Sequence, residues 1–283
     1  MKVKIPEYEK RTLTQLKEQY ELEKELAQKL LRATKAERRY LYTQVYNELF
    51  QKIPHHPLLT RKRDKEFQDK LISQKMKLLR RFLKPDTIFL EVGPGDCSLS
   101  FKVAQYVKKV YAVDVSEEIT QNEKLPSNFE LIISDGSSIP VPENSIHIAY
   151  SDQLIEHLHP DDALEQLKAI YRALVPGGLY LCITPSRLYG PHDISKYFDE
   201  VSSGFHLKEY TIVELSKLFR KTGFSKIVTF IGGKGIYLRF PSYPLRMCER
   251  TLNILPHPIR KRVASTLLFK ALLGITIIGV KRR

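Results

Sequence analysis

With 283 residues, 42% of them hydrophobic and 28% charged, the chain is long and apolar enough to bury a full core, which excludes a disordered or fibrous protein. Its three cysteines, Cys97, Cys182 and Cys248, are widely spaced, which excludes a disulfide framework and a cysteine metal cluster. The net charge of +14 is uneven: residues 1–85 hold 22 Lys and Arg against 11 Asp and Glu, residues 86–238 hold 14 against 20, and residues 239–283 hold 10 against 1. Basic flanks of this kind predict contact with a membrane surface, an anionic substrate or nucleic acid, or else solvated helix faces. The opening MKVKIPEYEKRTLTQ lacks the apolar core of a secretory leader, and no apolar run approaches the roughly 18 residues of a membrane span. A cytoplasmic protein is expected.

From Thr12 to about Ile53, Leu16, Tyr20, Leu26, Leu30, Leu31, Leu41, Val45, Leu49 and Phe50 recur at three- and four-residue spacing among charges, which predicts two amphipathic helices. IPHHPLLT breaks the pattern, and a basic helix from about Asp64 to Leu83 ends at Lys84-Pro85. Residues 1–85 therefore read as an N-terminal helical extension, placed to act as a lid. From residue 88 the runs IFLEVG, VYAVDV, FELIISD, IHIAYS and LYLCIT alternate with helical stretches, the pattern of a doubly wound, mostly parallel α/β sheet over 86–283. Asp161 to Leu174 predicts a helix closed by VPGG, and Lys208 to Thr222 another. KIVTFIG and GITIIGVK add two strands around a basic helical insert at about 240–273, whose stripe Ile259, Val263, Leu267, Leu268 and Ala271 reads as core packing rather than a membrane face.

In FLEVGPGDCSLSFKVA a buried strand runs into a turn at Gly93 and Gly95, where backbone amides and a helix N-terminus can approach a ligand closely. Asp114 ends the second run, 19 residues after Gly95, where a carboxylate can accept both hydroxyls of a ribose; Asp135, before Gly136 and Ser137, ends the third and suits an adenine edge. Acids at successive strand ends suit a cationic nucleoside and repel a pyrophosphate.

These motifs, together with YSDQLIEHL and ALVPGGLYLCITPS in the same order, resemble class I S-adenosylmethionine-dependent methyltransferases over about residues 88–281, with a domain like methyltransferase type 11. The resemblance implies a Rossmann-like sheet of seven strands with the last antiparallel, and S-adenosyl-L-methionine as cofactor. It implies that Glu91, Gly93 and Gly95 line the methionine end, Asp114 holds the ribose, Asp135 faces the adenine, Val115 and Gly136 also touch the cofactor, and Ser151, Asp152 and Gln153 lie beside the sulfonium. The third glycine of the usual first motif is Cys97 here, a small residue expected to preserve helix packing.

Tyr46 is placed to cover the methionine end with its ring face, and equally to pack in a helical core. An oxygen acceptor needs a base, and histidine serves near neutral pH. His192 with Asp193, in YGPHDISKYF after the fifth strand, is the preferred pair, although Asp193 reads equally well as a cap before ISKYF. His157 in EHLHP is the other catalytic candidate; His206 precedes a helix, and His55 and His56 read as turn residues. No metal site is expected. The leading function is O-methylation of a small metabolite, glycan or lipid precursor, with RNA methylation and non-catalytic cofactor binding as alternatives. YSDQL lacks the Asn/Asp-Pro-Pro-aromatic signature used on exocyclic base amines, and no RNA module is appended.

Overall fold

The computed structural model describes residues 5–6, 9–61, 65–116 and 125–283. Two capping boxes, Thr12 with Gln15 and Thr34 with Glu37, start helices α1 (Leu13–Arg32) and α2 (Lys35–Lys52). After the proline break come α3 (Pro57–Arg61) and α4 (Lys65–Leu79); the expected helix start at Asp64 lies outside the described residues. The alternating region then forms β1 (Ile88–Val92), α5 (Ser98–Ala104), β2 (Lys109–Asp114), β3 (Phe129–Ile133), β4 (Ile146–Asp152), α6 (Pro160–Ala173), β5 (Leu174–Thr184) and α7 (Ile212–Thr222). The last segment supplies β6 (Lys226–Gly233), β7 (Ile236–Phe240), α8 (Ser242–Ile254), α9 (His257–Ala264), α10 (Leu267–Leu273) and β8 (Ile275–Val280).

The strands form one sheet in the order β3-β2-β1-β4-β5-β8-β6-β7. β1 to β5 are mutually parallel, and β8 enters antiparallel between β5 and β6. The α/β reading and the antiparallel final strand hold, but the sheet has eight strands rather than seven. The extra one, β7, folds back on β6 as a hairpin. It was hidden because only one face is covered: Tyr237 is buried whereas Ile236 and Leu238 stand exposed at the sheet edge.

Alternate residues of each strand feed opposite layers. Leu90, Val92, Val113, Ala149 and Cys182 pack against α6 and α7, and Phe89, Val110, Ala112, Ile148 and Leu181 pack against α4 and α5. Leu26 and Leu30 of α1 and Tyr42, Val45 and Leu49 of α2 belong to the first of these cores. The residues before the first strand therefore share a core with the sheet. The strand order reverses between β1 and β4, and this puts the carboxyl ends of β1 to β4 around one crevice.

The insert departs from its expected packing. Chain breaks before His257 and Leu267 reset the helical phase, so the stripe expected to be buried is split between α9 and α10. Leu267 is 86% exposed, and Ile259 and Leu268 also face outward, while Leu252, Ala264 and Leu273 pack on Leu188 instead. Among the described residues no helix is long and apolar enough to cross a membrane.

Candidate functional site

The bend after β1 passes through left-handed backbone three times, with φ of 68° at Gly93, 58° at Gly95 and 56° at Cys97. The Gly93 N–H donates to the Val113 carbonyl at 2.8 Å, and a Cβ there would lie 2.8 Å from Leu154 Cδ1, so this glycine is fixed by packing. A Cβ at Gly95 would meet nothing within 4 Å. Gly95 thus faces open space suited to a ligand that approaches the backbone. The side-chain size expected to matter at Cys97 is joined by a backbone demand: the position is left-handed, which costs a non-glycine residue about 1–2 kcal/mol.

Three carboxylates, Glu91, Asp114 and Asp152, lie at the ends of β1, β2 and β4 about this bend, and a fourth, Asp135, follows the end of β3. Glu91, 4% exposed, accepts the Ser100 hydroxyl, and burial pushes its carboxyl up to about 7. Asp114 accepts the N–H groups of Val115 (2.7 Å) and Gly95 (3.2 Å), and burial raises it to about 6 against those bonds. At Asp135 burial pushes upward but is outweighed by hydrogen bonds from Ser138 and Ser137, which leave it below the usual carboxylate range. Asp152 meets Lys75 Nζ at 2.9 Å and the Tyr150 hydroxyl at 3.1 Å. Lys75, from α4, lies within electrostatic reach of Glu91 and Asp96 as well, so an ammonium already sits among the strand-end acids.

Helix α2 lies across this edge. Thr43 donates to the Val115 carbonyl (2.8 Å), Asn47 accepts the Ser116 hydroxyl (2.9 Å), and the Tyr42 ring packs where a side chain on Gly136 would be. The helix is fastened by Arg38, which grips Asp162 of α6 with two bonds of 2.6 and 2.9 Å, and by the Tyr42 hydroxyl, which donates to the same carboxylate. Tyr46 stacks on Phe205 at 5.2 Å and lies 6.4 Å from the His157 ring. Burial and the nearby Asp114 and Glu156 hold its phenol well above the usual range, so it stays neutral.

Beyond β4 the residues sort differently from the sequence reading. The Ser151 hydroxyl is buried against the Tyr180 hydroxyl at 2.6 Å, which turns it into the core. Gln153 is exposed in a left-handed turn, its N–H bonded to Ile183. His192 and Asp193 do not form the expected pair. The Asp193 carboxylate caps Ser195 and accepts the N–H groups of Gly204 and His206, and His192 Nε2 donates to the Ser186 carbonyl at 3.0 Å. Asp193 takes the capping role that was its alternative reading.

His157 is brought beside two groups that sequence reasoning had not joined to it. Its ring lies 4.7 Å from His206 and follows directly on Glu156. Glu156 is fully buried, with Oε2 accepting the Thr184 hydroxyl at 2.8 Å, and burial pushes it up to about 7. His206 Nδ1 pairs with Glu209 Oε1 at 2.8 Å; burial works against its charge, but Glu209 and Glu156 outweigh it and raise the imidazole above its usual value. Burial, and the charge of His206, hold His157 well below its usual value, so it is neutral. Glu156 Oε1 and His157 Nδ1 are buried without a hydrogen-bond partner among the described residues. The only sequence signals were the EH of EHLHP and the His and Glu of FHLKE, about 50 residues apart and joined only by the fold.

Comparison with known proteins bears on the same region. Residues 90–182 match the family model described as "Methyltransferase domain". A Mycolicibacterium smegmatis protein named "Probable S-adenosylmethionine-dependent methyltransferase" is 26% identical over 136 residues, 48% of this chain and 51% of the relative. An "Uncharacterized methyltransferase" of Geobacillus sp. is 27% identical over 158 residues, 52% of this chain and 73% of the relative. The chain thus spans about half the length of the first relative. A chain in the solved complex of the Haloferax volcanii Trm112 methyltransferase activator superposes with a TM-score of 0.55 at 16% identity, covering 78% of this chain and 93% of that one, and this likeness speaks to the fold alone.

Proposed function

We propose that residues 90–182, which match the methyltransferase domain model, form a class I, S-adenosylmethionine-dependent methyltransferase domain and that the whole protein methylates an oxygen of a small metabolite, glycan or lipid precursor. The observation that carries this reading is the set of strand-end carboxylates about a bend with open space at Gly95. The residues present fit the cofactor. Glu91, Gly93 and Gly95 would hold its amino acid end, Asp114 and Val115 the ribose, and Asp135 and Gly136 the base, with Asp152 contributing negative charge. S-adenosylmethionine supplies, when bound, a methyl group on a positively charged sulfur.

Methyl transfer is an in-line displacement, so what the chain adds is alignment and exclusion of water. Helix α2 contributes both: Tyr42, Thr43 and Tyr46 close the edge of the crevice from above. We place the acceptor hydroxyl beside Glu156 Oε1 and His157 Nδ1, two of the buried polar atoms left without a hydrogen-bond partner among the described residues. His192 and Asp193 then act as positioning residues that set the loop carrying His206 and Glu209. Labelled cofactor incubated with the protein and a fractionated extract tests the reading. A labelled small product carrying an O-methyl group supports it; label in RNA, or no transfer at all, overturns it.

An outward face favours acceptors held at a lipid surface. α8 to α10 expose Ile254, Ile259 and Leu267 among Arg250, Arg262 and Lys270, and the single acid of residues 239–283, Glu249, is buried against the N–H groups of Ile212 and Val213. Exposed apolar side chains in a field of one sign suit an anionic bilayer. Sedimentation with anionic vesicles, lost with neutral vesicles and weakened by Leu267→Asp, is the expected result. Equal partition to both vesicle types removes the proposal.

A further inference from the structure

Two of the unpartnered buried atoms beyond β4 belong to one cluster. Glu156, His157 and His206 each offer one ligand atom, and the three lie within 4.8 Å of one another. Each side chain is also held through another atom or face by a neighbour. Glu156 Oε2 is taken by Thr184, His206 Nδ1 by Glu209, and the His157 ring by the Phe205 backbone. Imidazoles anchored through their second nitrogen by a carboxylate or carbonyl are the usual outer support of metal-ligating histidines. A buried polar atom without a partner costs about 1–3 kcal/mol, and here two such atoms sit on adjacent residues of the cluster. A carboxylate oxygen and an imidazole nitrogen are matched by a group that carries positive charge or donates a hydrogen bond.

We infer that Glu156, His157 and His206 form a site for a divalent cation of the zinc class, with coordination positions left open for an oxygen of the methyl acceptor. Two imidazole nitrogens and one carboxylate oxygen are a donor set for borderline cations, and three protein ligands leave room for a further one. Ligand distances of about 2.0–2.2 Å require the three side chains to draw together by an ångström or so. The site adjoins the crevice through Tyr46, whose ring is 6.4 Å from His157 and whose phenol feels both Asp114 and Glu156. A hydroxyl bound to such a cation loses its proton more readily, which is what an oxygen acceptor requires. That acceptor role rests on the O-methylation reading above; the site itself does not.

The test uses the full chain, freed of metal with a chelator and titrated with Zn²⁺ and Co²⁺ at pH 7. One equivalent is expected to bind, and X-ray absorption of the zinc-loaded protein should show two imidazoles. Glu156→Gln and His206→Gln should each weaken uptake at least tenfold while retaining the circular dichroism of the parent. Absence of uptake, a site with fewer than two imidazoles, or uptake unchanged in both variants overturns the site. If the variants fail to fold, the absorption spectrum of the parent protein decides alone. Titrating S-adenosylmethionine into the same samples separates the two readings, because a cation site without cofactor binding removes the methyltransferase reading and leaves the site standing.

Discussion

The two halves of the crevice are built in opposite ways. On the β1 to β3 side the polar groups are met by nearby backbone: Asp114 by Val115 and Gly95, Asp135 by Ser137 and Ser138. On the β4 side Glu156, His157 and His206 come from segments about 50 residues apart, are propped by Thr184, Glu209 and Phe205, and leave two buried atoms unmatched. On the proposed reading the first half receives the cofactor with its acids already held by backbone, whereas the second takes its chemistry from the group it binds. Substitutions should separate the halves accordingly.

The largest effect is expected at the fastening of α2. Asp162→Ala leaves the Arg38 guanidinium buried without its partner and frees Tyr42, which should cost about 3–5 kcal/mol and lower the melting temperature by about 10 °C. A loss of less than 1 kcal/mol in a denaturant titration would mean α2 is held by its apolar face alone. Next comes Asp114→Ala, which should weaken S-adenosylmethionine binding about a hundredfold, in keeping with the loss of two hydrogen bonds to a charged group, while Zn²⁺ uptake stays as in the parent. If metal uptake fell in parallel, the two halves would not be independent.

A pH series sharpens the contrast at smaller amplitude. Burial raises the Glu91 carboxyl from 4.5 to about 7 and that of Asp114 from 3.8 to about 6. Raised carboxyls favour the folded chain at low pH, and that contribution is lost as pH climbs through about 6 to 7. A cationic ligand needs them ionised, so affinity for S-adenosylmethionine should move the other way and fall about tenfold between pH 7 and pH 5. Calorimetry at each pH measures this, and Asp114→Asn should flatten the profile. The smallest effect is at the bend itself: Cys97→Gly should change stability by no more than about 1 kcal/mol, because relief of the left-handed backbone offsets the lost side chain. Cys97→Val should cost about 2 kcal/mol, since a β-branched residue tolerates that conformation poorly.

The same asymmetry decided what could be read from sequence. The glycine bend, Asp114 and Asp135 each sit at the end of a continuous β-rich run, so their order along the chain gave their order in space. β7 escaped because an edge strand with one buried residue, Tyr237, shows no alternation to read. The exposed stripe of the insert was assigned inward because its spacing assumed one continuous helix, whereas the chain breaks before His257 and Leu267. His192 and Asp193 were joined because they are neighbours in sequence, yet adjacent side chains in an extended loop point apart, and Asp193 turned to Ser195, Gly204 and His206. Glu156, His206 and Glu209 were present in the motifs, but nothing local in EHLHP or FHLKE says that they meet.

Titration calorimetry of S-adenosylmethionine into the purified full-length chain, alongside Asp114→Ala and Glu156→Gln, addresses the main claim most directly. Saturable one-to-one binding that collapses in Asp114→Ala and persists in Glu156→Gln is the predicted result. Heat no greater than dilution in the parent protein, or equal binding in all three, would contradict the strand-end carboxylates as a cofactor site.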